Sequence, residues 1–345
     1  MKLSFKNDYS EGCHPRILEA LTESNFDQQD GYGLDDYCKK AINTILKKIH
    51  SPNSKVHFVS GGTQANLVII SAFLRPHESV VSASTGHIFD NETGAIEATG
   101  HKINSAETSN GKLSPKCIQK VIDAHPIKPH QLKQKLVYIS NSTEIGTIYL
   151  KKELQELSEF CQANNLYLFL DGARLGQALS AENNDLSLED IAKYTDAFYL
   201  GGTKNGALIG EAIVINNRSL QEDFEYHLKQ KGAMLSKGRL LGLQFQELLK
   251  DDLYFDLARH ANRQAMRIKR VFTETGCGWW ADTSTNQIFP ILEDDKIRQL
   301  LGKFDFYIWR KIDDNCSAVR IITSWATKED HVDIFIEEIR KLYSI

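Results

Sequence analysis

Three stretches of this chain carry residue types that could do chemistry together. Lys204 sits in Gly201-Gly202-Thr203-Lys204-Asn205-Gly206, directly after the apolar run Ala197–Leu200. A lysine bracketed by glycines at the end of a buried strand loses hydration. Burial lowers its pKa and frees the amine for imine formation. Asp171 follows the run Leu166–Leu170, apolar at every position, and opens Asp171-Gly172-Ala173-Arg174. A carboxylate ending such a strand has few comfortable partners except a cation. Ser60-Gly61-Gly62-Thr63-Gln64-Ala65-Asn66 follows the run Val56–Val59. Its glycines let backbone approach a ligand, and a helix starting near Thr63 offers free N–H groups and a positive dipole end. That is a phosphate cup. It matches neither the dinucleotide fingerprint nor the P-loop pattern, so nicotinamide and nucleotide enzymes are disfavoured.

Each stretch alone has a plain structural reading. The cup could be a strand–helix turn with a Thr cap. Asp171 could pair with Arg174, and Lys204 could be a solvated loop lysine. Together they are more specific. A cup for phosphate, a carboxylate that keeps a pyridine nitrogen protonated and an imine-forming lysine, in that order, are the requirements of pyridoxal 5′-phosphate. The Asp171–Lys204 separation of 33 residues leaves room for one helix and one strand.

The elements that must position these groups follow from periodicity. Strand-like runs at Val56–Val59, Ser79–Ala83, Leu136–Ser140, Leu166–Leu170, Ala197–Leu200 and Ala212–Ile215 alternate with helical stretches such as Lys39–Ile49, Ala65–Leu74 and Lys151–Asn164. Runs apolar on both faces suit the interior of a parallel sheet covered by helices. The expected fold class is α/β, with a large domain over 1–235 holding a mostly parallel mixed sheet. After about residue 235 the rhythm changes. Helices near Arg239–Lys250 and Tyr254–Thr275 precede short strands at Gln287–Leu292, Phe306–Trp309 and Val319–Thr323. A last helix, Lys328–Tyr343, presents Val332, Phe335, Ile336, Ile339 and Leu342 for burial. Residues 236–345 read as a small α+β C-terminal domain. In open α/β sheets ligands bind beyond the carboxyl ends of the strands, where all three stretches lie.

Bulk composition narrows the class. The 345 residues carry a formal charge of -4, which argues against a nucleic-acid or anionic-membrane surface. No apolar run approaches the roughly 18 residues of a spanning helix, and the N-terminus MKLSFKNDYSEG has no signal-peptide pattern. Six scattered cysteines form no C-x-x-C pair, so neither a metal site nor a disulfide framework is expected and a cytoplasmic setting is natural.

The sequence resembles the L-threonine aldolases and related β-eliminating lyases of the aspartate aminotransferase superfamily, whose pyridoxal phosphate fold is fold type I. The matching stretches are Asn7-Asp8, Tyr32-Gly33 with Asp35-Asp36, Gly62-Thr63-Gln64-Ala65-Asn66-Leu67, His87 with Glu92, Asp171-Gly172-Ala173-Arg174, the Lys204 loop and Val319-Arg320. The resemblance implies that Gly62 and Thr63 hold the phosphate, His87 stacks on the pyridine ring and handles protons, and Asp171 pairs with the ring nitrogen. It implies that Arg174 and Arg320, with Asn7 nearby, bind the substrate carboxylate, Arg174 also lining the cofactor. The implied reaction is retro-aldol cleavage of a β-hydroxy amino acid. For threonine or allo-threonine the products are glycine and acetaldehyde. A homodimer or homotetramer is implied as well.

The sequence also departs from the family. Thr143-Glu144-Ile145-Gly146 has Glu144 where a histidine faces the substrate hydroxyl. Glu144 could serve as hydroxyl acceptor or base, or mark another substrate. Thr203 replaces a serine beside the lysine, Lys237 could substitute for a phosphate-binding arginine, and Asn7 stands where serine is usual. β-Elimination or transamination of another small amino acid stays open as an alternative reaction. So does a ligand-binding protein that keeps the fold without turnover.

Overall fold

The structure, a computed structural model, describes residues 2–344. After a two-residue strand β1 (Leu3–Ser4), strands β2 (Lys55–Val59), β3 (Glu78–Ala83), β4 (Ile103–Ala106), β5 (Lys133–Ser140), β6 (Tyr167–Asp171), β7 (Ala197–Gly201) and β8 (Glu211–Ile215) appear in turn. The last seven form one sheet in the order β2-β8-β7-β6-β5-β3-β4. Only β8 runs against the others; it is antiparallel to both β2 and β7.

The apolar runs explain this sheet. Leu168, Leu170, Phe198, Leu200 and Val214 bury into one face, while Phe169, Ala197, Tyr199, Ile213 and Ile215 bury into the other. Side chains alternate across a strand, so a run apolar at every position needs helices on both sides. Helices Asp36–Lys48, Lys151–Ala163 and Arg239–Leu249 cover the first face through Ile45, Leu157 and Leu248. Helices Gly62–Phe73 and Phe224–Gln230 cover the second through Val68, Ile69 and Leu228.

Beyond the long helix Leu253–Glu274 come β9 (Gly278–Ala281), β10 (Gln287–Glu293), β11 (Phe304–Asp305), β12 (Tyr307–Lys311) and β13 (Cys316–Ile322). Four of them form an antiparallel sheet in the order β12-β13-β10-β9. Its core gathers Phe272, Ile288, Val319, Ile321, Val332, Phe335 and Ile339. The chain start joins it: β1 pairs with β11, and Phe5 stacks on Phe335 at 4.7 Å. In the final helix, Glu329–Tyr343, Ile336 and Leu342 are only partly buried, short of the full burial their spacing predicts. The edge strand β4 and strand β9 were not expected. β4 reads Ile-Asn-Ser-Ala, too short and mixed for its periodicity to speak.

Candidate active site

Six strands of the large sheet bring their carboxyl ends to one edge, and antiparallel β8 starts there. Read across the sheet, that edge carries the Gly62–Thr63 turn after β2, Glu211 at the start of β8 and Lys204 after β7. Asp171 at the end of β6, Glu144 after β5 and His87 after β3 complete the row. The sheet thus collects residues up to 149 positions apart in sequence.

The turn after β2 ends in a 12-residue helix whose cap, Gly61, makes no side-chain capping bond. Gln64 folds back and accepts from Ser60 N–H at 3.0 Å, leaving Thr63 exposed at the mouth. At Gly62 a Cβ would lie 2.9 Å from Tyr199 Oη, so glycine lets the tyrosine pass beneath the cup.

That tyrosine reaches Asp171. Asp171 Oδ1 accepts from Tyr199 Oη at 2.5 Å and Ala173 N–H at 3.0 Å. Oδ2 accepts from Tyr138 Oη at 2.6 Å and Asn66 Nδ2 at 3.1 Å. Burial alone would raise the Asp171 pKa, but His87 and these donors outweigh it and hold the carboxyl below the usual carboxylate range. It is an ionised group in a dry place. Gly172 secures its position against the lysine strand. A Cβ there would sit 1.7 Å from the Tyr199 carbonyl oxygen, and Gly201 N–H donates to Gly172 O at 2.9 Å.

His87 Nδ1 lies 2.8 Å from Glu92 Oε1, and Glu92 is fully buried. With Nδ1–H donated to the carboxylate, Nε2 is the ring nitrogen left for other work. Asn66 donates to the same Glu92 oxygen at 2.7 Å. Glu144 Oε1 accepts from His87 backbone N–H at 2.9 Å and Ser140 Oγ at 2.6 Å. Burial pushes the Glu144 pKa up, with Asp171 adding to the shift and the Ser140 and His87 bonds opposing it.

Lys204 is partly buried, and burial lowers its pKa. Arg174 lowers it further, while Asp8, Asp171 and Glu211 oppose. The preceding Thr203 Oγ1 accepts from Gly210 N–H at 3.0 Å, closing the turn.

Arg174 is not a free cation. Its Nε and Nη2 donate to the two oxygens of Asp8 at 2.7 and 3.0 Å, and Asp8 also accepts from Asn286 at 2.9 Å. Asn7 uses its side-chain oxygen locally, accepting from Tyr9 N–H and Ser10 Oγ. Arg320, on β13, stands 5.1 Å from the Tyr307 ring and 4.8 Å from the Trp309 ring. Its Nε is buried without a hydrogen-bond partner. Burial and the neighbouring Arg174 lower its pKa. Lys237 is exposed ahead of helix Arg239–Leu249, and no hydrogen bond among the described residues ties it to the cup.

Sequence reasoning gave no role to Asp8, Asn66, Glu92, Tyr138, Tyr199 or Glu211. Two of them left a signal. Tyr138 in Leu-Val-Tyr-Ile-Ser and Tyr199 in Ala-Phe-Tyr-Leu-Gly are hydroxyls inside apolar strands, and a buried Tyr hydroxyl needs a partner. Both find Asp171.

The sheet, the small C-terminal sheet and this row of groups define a pyridoxal phosphate enzyme of the aspartate aminotransferase-like fold. The profile of the beta-eliminating lyases matches residues 14–295, and the chain belongs to that family. The low-specificity L-threonine aldolase of Pseudomonas aeruginosa is 31% identical over 97% of this chain and 96% of its own. The solved threonine aldolase of Leishmania major is 45% identical, with a TM-score of 0.97 over 99% of each chain. A mutant of Thermus thermophilus aspartate aminotransferase, 14% identical, superposes with a TM-score of 0.73 over 99% of this chain and 91% of its own, a likeness of fold.

The residues present fit the cofactor. An ionised, buried Asp171 suits a protonated ring nitrogen. Its four donors occupy the roughly four lone-pair sites of a carboxylate, so an arriving N–H must share with one of them. Asn66, which also serves Glu92, has an alternative partner. An uncapped helix start suits the phosphate, and a lysine with a lowered pKa suits an aldehyde.

Proposed function

We propose that this chain cleaves L-threonine and L-allo-threonine to glycine and acetaldehyde. The observation that carries this is the pairing of Glu144 with His87 at the strand end beside Asp171. The similarity to the Pseudomonas and Leishmania aldolases over nearly the whole chain supports it.

Bound pyridoxal phosphate supplies an electron sink for the pair left when a bond at Cα breaks. The protein's own groups do the rest. Gly62 and Thr63 hold the phosphate, with Lys237 as the cation, and Thr203 packs beside Lys204. Asp171 keeps the ring nitrogen cationic. Lys204 anchors the cofactor until the substrate amine takes its place. Arg320 receives the substrate carboxylate. Its buried Nε has an unmet donor, and a guanidinium fork matches a carboxylate. Arg174, locked to Asp8, adds positive potential, and Asn7 lines the same end. Glu144 takes the β-hydroxyl proton. Its raised pKa brings it closer to the range where a carboxylate is an effective base. His87, steadied by Glu92, stacks on the ring and moves protons through Nε2.

We further propose a division near residue 235, supported by the change from a mostly parallel to an antiparallel sheet. A homodimer or homotetramer in the cytoplasm completes the reading. No helix among the described residues is long and apolar enough to cross a membrane.

The test is to supply threonine and allo-threonine separately and measure acetaldehyde and glycine. Keto acid without aldehyde would replace the aldolase reading with elimination or transamination. Lys204→Ala should abolish the yellow absorbance of lysine-bound pyridoxal phosphate; unchanged colour would sink the assignment of Lys204.

A further inference from the structure

Glu211 lies at the start of β8, opposite Gly201 on β7 and Val59 on β2, and is 4% exposed. Its Oε2 accepts from Gly202 N–H at 2.9 Å, and the Thr203 side chain faces it. Glu211 therefore holds the turn that precedes Lys204. A buried carboxylate with a single hydrogen-bond donor is poorly compensated. Asp171 has four, and Asp8 has a bidentate arginine plus an asparagine. Arg174 is committed to Asp8, so the cation left for Glu211 is Lys204.

We infer that Glu211 is a positioning residue for Lys204, holding the turn that carries it and placing a carboxyl group on that turn. This rests on the reading of Lys204 as the lysine that binds pyridoxal phosphate.

The other charges around Lys204 are fixed. Arg174, Asp8 and Asp171 face it, and both aspartates are held below the ordinary carboxylate range. Glu211 faces Lys204, Thr203, Asp171 and the hydroxyls of Tyr199 and Tyr254. Burial pushes its pKa up to about 8, with the Thr203 hydroxyl and Lys204 opposing. Below that pH the group is neutral. Above it a carboxylate appears on the turn that carries Lys204 and favours the protonated form of the lysine nitrogen.

The experiment is a pH titration of the yellow absorbance of the holoenzyme, which reports protonation of the lysine nitrogen. Glu211→Gln keeps an oxygen to accept from Gly202 N–H and removes the charge. Its titration should move to lower pH by about one unit, the size expected for losing a nearby opposite charge. Glu211→Asp keeps the charge and should titrate near the wild type. If Glu211→Gln does not fold, Thr203→Ala removes the hydroxyl that faces Glu211 and raises its pKa, and should shift the titration the same way by less. A folded, yellow Glu211→Gln, or Thr203→Ala in its place, that titrates with the wild type overturns the inference. A wild type without yellow absorbance, or a Lys204→Ala that keeps it, refutes the lysine reading and takes this inference with it.

Discussion

The amide of Asn66 donates to Asp171 Oδ2 over 3.1 Å, and its other hydrogen goes to Glu92 Oε1 at 2.7 Å. One neutral side chain thus ties the acid at the end of β6 to the acid that steadies His87. The cup helix that carries Asn66 is fixed to both. Asn66→Leu would leave two buried carboxylates each short of a donor. The expected cost is about 3 kcal/mol, taking about 1–3 kcal/mol for each deprived buried group. Denaturant unfolding measures it. The cost at Asp171 falls on its charged form, so the total should shrink as pH drops and Asp171 protonates. A penalty that does not change with pH would argue for simple overpacking.

Asp8 and Arg174 form a buried bidentate pair. Asp8→Asn leaves a buried guanidinium without a counter-charge and should destabilise the fold by about 3–5 kcal/mol. The sign of the pH dependence is fixed. Burial would raise the Asp8 pKa, but Arg174 and Lys204 hold it below the ordinary value. Its stabilisation is fully present above the unfolded carboxyl pKa of about 3.9. It is lost as pH falls further, through the folded value. The unfolding free energies of wild type and Asp8→Asn should therefore converge at low pH.

Glu144→Gln keeps an oxygen for Ser140 Oγ and His87 N–H, so the loop should survive. Aldehyde release should drop about 10²–10⁴-fold, the usual worth of a positioned base. KM should change little. A base works when ionised, and burial raises the Glu144 pKa above its ordinary value. Wild-type activity should fall as pH falls through that raised value, and Glu144→Gln should lose this acid limb. An acid limb unchanged in the variant would assign the proton to another group.

Arg320→Ala should raise KM for the amino acid about 10–100-fold, as expected for losing a charged hydrogen bond of about 1.5–3 kcal/mol. Arg320→Lys should recover little, because an ammonium cannot make the planar fork or stack between Tyr307 and Trp309 in the same way. A larger fall in kcat than rise in KM would place Arg320 on the reacting atoms instead.

The sequence by itself determined the buried strands of the large sheet other than edge strand β4, because runs such as Leu166–Leu170 and Ala197–Leu200 are apolar at every position and only a doubly covered sheet buries both faces. It also determined which strand ends carry Gly62, Asp171 and Lys204. Tertiary structure alone decided the order of the strands and therefore who meets whom. Strand β8 inserts between β2 and β7, and that pairing puts Glu211 at the lysine turn. No local periodicity encodes pairing between residues so far apart. The same holds for Asp8, which meets Arg174 across 166 positions, and for Arg320, whose unpaired Nε depends on how β12 and β13 fold over it. A charge's partner is a property of the packed chain, since desolvation and donors exist only after the elements have come together.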